Sequence, residues 1–146
     1  MQSVVTRVFQ GLAWLVLAGL VVEFYLAGAA LFGVTTFQPH RALGSALVVA
    51  ILLLLILTSV ARPARRVVGL TALLAVLTIV QVVLPQLRTS VPPVAALHVL
   101  NAAVLLAVTG AIARSPGRSA DARTAVSGGK SLASLPGASG ATLPRE

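Results

Sequence analysis

The chain has no cysteine, and it also lacks the motifs of the common catalytic sites. The absence of cysteine excludes disulfide bonds, thiolate catalysis and iron–sulfur clusters held by cysteine. There is no nucleotide-binding glycine loop, no zinc-spaced cluster of His and Glu, and no Ser-His-Asp set. The segment Gly128-Gly129-Lys130-Ser131 resembles the end of a phosphate-binding loop, but the upstream glycine is missing. The sequence therefore favours a role without enzymatic catalysis.

Charge is scarce as well, and apolar residues are abundant. Of the 146 residues, 10% are charged and 58% are hydrophobic. A soluble domain of this size cannot bury so much apolar surface. The apolar residues form blocks of about 20 residues, the length that a helix needs to cross a hydrocarbon core. Four such blocks run from about 8 to 32, 42 to 60, 67 to 84 and 94 to 113. The sequence predicts an all-α integral membrane four-helix bundle over residues 1–114, since helices satisfy their own backbone hydrogen bonds.

Basic residues are distributed unevenly about these blocks, and this predicts the orientation. Of the 11 basic residues, only Arg41 and Arg88 fall in the loops opposite the termini. By the positive-inside rule, both termini are expected in the cytoplasm of a multi-pass cell-membrane protein. The net charge of +8 is then explained mainly by the membrane topology. It also favours attraction to anionic membrane lipid, and nucleic acid is not an expected partner.

The two ends of the chain have features of their own. Met1 to Arg7, Leu12 to Val22 and Ala27-Gly28-Ala29 together resemble a signal peptide with a cleavage site. The apolar run continues through Leu31 and Phe32, however, which favours a retained first helix. From Ser115 the chain is rich in Ser, Gly, Pro and Ala, and residues 115–146 are predicted to be a disordered cytoplasmic tail.

An internal repeat appears when the chain is compared with itself at an offset of 58 residues. Four of the matches are not explained by the apolar composition. They align identical or isosteric residues: Arg7 with Arg65, Gly11 with Gly69, Glu23 with Gln81, and His40 with His98. Each unit holds two helices, so the halves are expected to be related by a twofold axis along the membrane normal. The second and fourth helices then lie diagonally in the bundle, with the two histidines at similar depth.

Two histidines on facing helices predict a haem site. Iron in haem accepts one imidazole from each face, and bundle interiors commonly hold such sites. His40 and His98 are the predicted axial ligands of a b-type haem. The expected neighbours are the small residues Gly44 and Ala102 beside the macrocycle, Arg41 and Arg88 on the propionates, and Asn101 as a hydrogen-bonding partner. Histidines resting at a membrane interface, small residues that only pack helices, and arginines that only anchor the interface remain the alternatives.

The motifs His-Arg-x-x-Gly (40–44) and Leu-His-x-x-Asn-Ala (97–102) resemble one half of heme A synthase, over residues of about 20 to 110. That family has two four-helix bundles, and each half holds a haem between two histidines. The chain also resembles uncharacterised small four-helix membrane proteins of actinobacteria. Phe37 stands where the synthase has a glutamate, and there is only one bundle. The resemblance therefore implies haem binding or electron transfer to a redox partner, and not oxidation of a haem methyl group.

Glu23 is the one acidic residue within a predicted helix. An ionised carboxylate at such a depth costs on the order of 2.5–3.5 kcal/mol, so a function is the default hypothesis. One alternative is a neutral acid hydrogen-bonded to Gln81. Another is a proton-coupled transporter, because small multidrug-resistance transporters are also four-helix proteins with a glutamate in the first helix. Their aromatic and glycine-rich signature is missing here, although Trp14 is present. A membrane scaffold without chemistry is the third alternative.

Overall fold

The structure is a computed structural model that describes residues 2–115, which belong to one compact unit, Met1–Ser115. The regular elements of this described part are all helical. They are α1 (Gln2–Leu31), α2 (Gln38–Ala61), α3 (Arg65–Val83), a 3₁₀ turn (Leu84–Arg88), the short α4 (Pro92–Ala95) and α5 (Leu97–Ala113). Apart from Ser115, the predicted disordered tail lies outside the described residues.

The helices agree with the four predicted blocks, but their ends differ by several residues. Helix α2 begins at Gln38 rather than at residue 42, because Pro39 is tolerated in a first turn, where no backbone donor is needed. His40 therefore lies inside the helix. Helix α3 gives way to a 3₁₀ turn after Val83, where Pro85 lacks the amide hydrogen that continues an α-helix. The fourth block divides at Ala96, between α4 and α5.

The helices pack around a closed square. Helix α1 contacts α2 and α5, and α3 contacts the same two helices, so the diagonal pairs are α1 with α3 and α2 with α5. The predicted diagonal position of the second and fourth segments is confirmed. The interior is filled mainly by aliphatic side chains, among which Leu54, Leu74 and Ile112 are fully buried.

Apolar side chains also cover the outside of the bundle. Large hydrophobic residues such as Leu15, Val49, Ile79 and Val99 are all more than half exposed. In the described part of the chain, four helical segments are long and apolar enough to cross a membrane: Val4–Leu31, Gln38–Ala61, Arg65–Arg88 and Pro92–Ala113. The fold is therefore compatible with a multi-pass membrane protein, because lipid-facing surfaces are apolar.

Candidate functional site

Five polar side chains meet at the end of the bundle where α1 and α3 end and where α2 and α5 begin. Each of the four long helices contributes at least one of them. We call the group the polar cluster; its members are Glu23 on α1, His40 on α2, Gln81 on α3, and His98 and Asn101 on α5. The sequence singled out all five, from positions up to 78 residues apart, and the fold brings them together.

In one half of the polar cluster, the carboxylate of Glu23 contacts the imidazole of His40. Oxygen Oε2 of Glu23 pairs with Nδ1 of His40, although Glu23 is only 8% exposed. The other oxygen, Oε1, is buried and has no hydrogen-bond partner among the described residues. The ring of Phe37 packs edge-on against His40, with centroids 6.3 Å apart. The carboxylate that contacts His40 therefore comes from α1, and an aromatic ring precedes His40 by three residues.

In the other half, His98 is held by Gln81 through both ring nitrogens. Nδ1 lies 3.0 Å from the backbone oxygen of Gln81, and Nε2 lies 3.2 Å from the side-chain nitrogen Nε2 of Gln81. A backbone oxygen only accepts, so Nδ1 of His98 is the donor. The backbone oxygen of Gln81 is open to His98 because the residue four positions later is Pro85, which has no amide hydrogen.

Asn101 fixes the direction of the Gln81 amide. Its nitrogen Nδ2 donates to Oε1 of Gln81 at 2.7 Å and to the backbone oxygen of Leu77 at 2.9 Å. With Oε1 accepting from Asn101, the NH₂ group of Gln81 points to His98 and donates to its Nε2. The sequence had suggested Asn101 as a hydrogen-bonding partner at the histidine site. In the structure, Asn101 bonds to Gln81, and Gln81 in turn bonds to His98.

The two histidines face each other across the diagonal of the bundle. Their ring centroids are 6.4 Å apart, and the ring planes are nearly perpendicular at 79°. The described part of the chain contains no group of three or more His, Cys, Asp or Glu that could hold a metal ion. Any metal here would rest on the histidine pair.

The other predicted site residues occupy different surroundings. Gly44 lies beside Glu23, whose Oε1 would be 3.5 Å from a Cβ atom placed on the glycine. Ala102 is half-buried. Arg41 and Arg88 are exposed, and neither bonds to the polar cluster within residues 2–115.

The predicted hydrogen bond between Glu23 and Gln81 is absent from the described structure, because each of the two residues is turned toward a histidine on a neighbouring helix. Each contacts the histidine that follows it by 17 residues. Sequence reasoning missed Phe37 as a packing partner of His40, and it missed Leu77 and Pro85. The sequence held one signal for these contacts, the proline four residues after Gln81. A proline there leaves the backbone oxygen of Gln81 without its helical hydrogen bond.

Comparison with protein families gives a match to part of the chain. Residues 23–89, a little under half of the chain, are similar to a family of unknown function (DUF6220). The matched segment includes Glu23, His40 and Gln81 and ends before His98. No curated protein and no solved structure matches the chain, and nothing in these comparisons supports the resemblance to heme A synthase.

Proposed function

We propose that this chain is an integral membrane protein that binds a b-type haem between α2 and α5, with His40 and His98 as the axial ligands. The haem would serve electron transfer or haem handling at the end of the bundle that holds the polar cluster. Haem supplies a reversible one-electron couple, and the protein adjusts its potential through the ligands and their hydrogen bonds. Partners in this role are membrane lipid and a protein that exchanges electrons with the site.

The separation of the two rings is the observation that carries the proposal. Imidazole nitrogens bind metals at about 2.0–2.1 Å, so two rings on opposite sides of one metal have centroids roughly 6–6.5 Å apart. The centroids of His40 and His98 are 6.4 Å apart.

The contacts of the Nδ1 atoms support the same role. Histidines that bind a metal commonly donate their other ring N–H to a carboxylate or a backbone carbonyl, which fixes the tautomer and turns the ring. His40 has the carboxylate of Glu23 at Nδ1, and His98 has the backbone oxygen of Gln81 there. For His98 the backbone oxygen fixes the proton on Nδ1, which leaves Nε2 as the nitrogen suited to bind iron.

The residues one turn along from the histidines are small, as a flat ligand between the helices would require. They are Gly44, which lies beside Glu23, and Ala102. Arg41 and Arg88 are exposed at the same end of the bundle and are suited to pair with carboxylates. One group has to move: the amide of Gln81 now donates to Nε2 of His98 and must release it for metal binding.

A duplicated helix pair would explain why both halves of the polar cluster use the same spacing. Glu23 and His40 correspond to Gln81 and His98 at the offset of 58, and each earlier residue contacts the later histidine of its own half. Under this proposal the ancestral helix pair carried one histidine and its orienting partner. Pairing two copies would then create the two-ligand site.

A reduced-minus-oxidised absorption spectrum of the full chain in detergent tests the proposal. We expect the sharp α-band of low-spin b haem in the wild type and its loss in the double variant His40→Ala/His98→Ala. Ser45→Ala is the matched control, because its exposed hydroxyl bonds only to the backbone of its own helix. This control should retain the wild-type spectrum.

A flat wild-type spectrum after expression with ample haem would contradict the proposal. Retention of the band in the double variant would contradict the assignment of the ligands. In the first case, proton-coupled transport through Glu23 would be the next hypothesis to test.

A further inference from the structure

Three arginines stand close together where α2 ends and α3 begins, at the end of the bundle away from the polar cluster. They are Arg62, Arg65 and Arg66, and all three are exposed. In the described part of the chain, Glu23 is the one acidic residue, and it contacts His40 at the other end. The turn between α2 and α3 therefore carries three positive charges within five residues.

The backbone at Arg62 has a conformation that suits glycine better than arginine. Its φ is 45°, and among the described residues it is the one residue other than glycine with a positive φ. Its amide donates to the backbone oxygen of Thr58 at 3.0 Å, which closes the last turn of α2. Helices often end with glycine at such a position, because a side chain is strained there. An arginine held in this conformation points to a function for its side chain.

The position of the arginines along the helices favours a lipid phosphate as their partner. The apolar segments on either side of the turn are Gln38–Ala61 and Arg65–Arg88, so the arginines lie where the hydrocarbon core of a membrane would end. The phosphates of the lipids lie in the layer next to that core. A guanidinium group binds phosphate through two parallel hydrogen bonds. A lipid headgroup in its normal layer is therefore within reach of this turn.

We propose that the α2–α3 turn binds an anionic phospholipid with two phosphate groups, such as cardiolipin, through Arg62, Arg65 and Arg66. A lipid with one phosphodiester offsets one of the three charges, whereas a lipid with two phosphates offsets two of them. Basic clusters at the ends of membrane helices bind headgroups of this kind. The inference does not depend on the proposed haem, which lies at the other end of the bundle.

Titration of the full chain in detergent with cardiolipin, read by native mass spectrometry, tests the inference. The wild type should bind cardiolipin more tightly than the neutral lipid phosphatidylcholine. The double variant Arg65→Gln/Arg66→Gln should lower the affinity for cardiolipin roughly 10- to 30-fold, because each arginine near an anionic lipid contributes about a factor of five. Every variant retains the basic residues after residue 115, so their contribution is the same throughout.

The matched control is Arg7→Gln/Arg114→Gln, which removes the same charge at the same end of the bundle. Arg7 lies on α1 and Arg114 follows α5, so both are on the opposite side of the square from the α2–α3 turn. Charges more than about 8 Å apart are largely screened at physiological salt, so this variant should lower the affinity by less than about threefold. Equal losses in the two double variants would contradict a site at the turn, as would equal binding of both lipids by the wild type.

The variant Arg62→Gly separates lipid binding from folding. Glycine adopts a φ of 45° without strain, so the midpoint of thermal unfolding should stay the same or rise. The affinity for cardiolipin should nevertheless fall roughly fivefold, because the guanidinium group is lost. An unchanged affinity would contradict the role of Arg62. This variant also decides the question if Arg65→Gln/Arg66→Gln does not fold.

Discussion

Two fully buried threonines differ in whether their hydroxyl groups have a partner. Thr71 on α3 donates to the backbone oxygen of Val67 at 2.9 Å, while the hydroxyl of Thr109 on α5 has no hydrogen-bond partner among the described residues. An unpaired buried hydroxyl destabilises the fold, because it has lost its hydrogen bonds to water without replacement.

We therefore expect opposite results from the same substitution at these positions. Thr109→Val should raise the free energy of unfolding by about 1 kcal/mol, since valine has the shape of threonine without the unpaired group. Thr71→Val should leave it unchanged or lower it, because a bonded hydroxyl is lost. Unfolding in mixed detergent micelles measures both variants. A lower stability of Thr109→Val would show that its hydroxyl is satisfied after all.

Asn101 contributes to stability through two hydrogen bonds that link α5 to α3. Asn101→Leu removes the donors to Leu77 and Gln81 and leaves Oε1 of Gln81 without a partner. The free energy of unfolding should fall by about 1–2 kcal/mol, because interhelical hydrogen bonds in membranes are of moderate strength. Unfolding in mixed detergent micelles measures this change. The control Ser45→Ala should change the free energy of unfolding by less than about 0.5 kcal/mol. If Asn101→Leu and Ser45→Ala had equal effects, the interhelical bonds of Asn101 would be contradicted.

At the scale of elements, the approach of α1 to α2 depends on a missing side chain. A Cβ atom on Gly19 would lie 2.6 Å from Cδ2 of Leu47, whereas a Cβ on Gly11 would meet nothing within 4 Å. Gly19 thus permits the close contact of the two helices, and Gly11 has no such role in the described structure.

The two glycines should respond oppositely to alanine. Gly19→Ala should lower the free energy of unfolding by about 1–2 kcal/mol, because Leu47 is buried and has to shift. Gly11→Ala should raise it by up to about 1 kcal/mol, since alanine favours a helix over glycine. Thermal unfolding in detergent measures the midpoints of both variants, whose substitutions lie on the same helix. Equal shifts of the two midpoints would contradict this packing of α1 on α2.

The described bundle, residues 2–115, differs from a soluble protein in its outer surface. Apolar side chains cover that surface as well as filling the interior, and the polar cluster lies between the helices. Such an arrangement is stable in lipid, because polar groups there need partners within the protein. The basic residues of the described part lie chiefly at the opposite end from the polar cluster, which sets the expected orientation.

The absence of cysteine allows a direct test of that orientation. We expect Val34→Cys, in the exposed α1–α2 loop, to react with an impermeant maleimide added to intact cells. Ala64→Cys, exposed between α2 and α3, should react only after the membrane is opened. The cysteine-free parent is the control for background labelling. The reverse pattern would place the polar cluster on the cytoplasmic side.

The amino-acid sequence by itself determined the helices and their approximate ends. A run of apolar residues satisfies its backbone hydrogen bonds within one helix, so the four blocks follow from local composition. The departures are local too, since they arise where Pro39 begins a helix earlier than predicted and where Pro85 ends one.

Only the tertiary structure decided which polar side chains meet. The sequence indicated Glu23, Gln81 and the two histidines as special, but it suggested a bond between Glu23 and Gln81. The order of the helices around the square places those two on a diagonal and makes α2 the neighbour of α1. Contacts between helices depend on which faces pack together, and no spacing along a single helix specifies that. The hydrogen-bonding partner of each histidine could therefore be identified only from the tertiary structure.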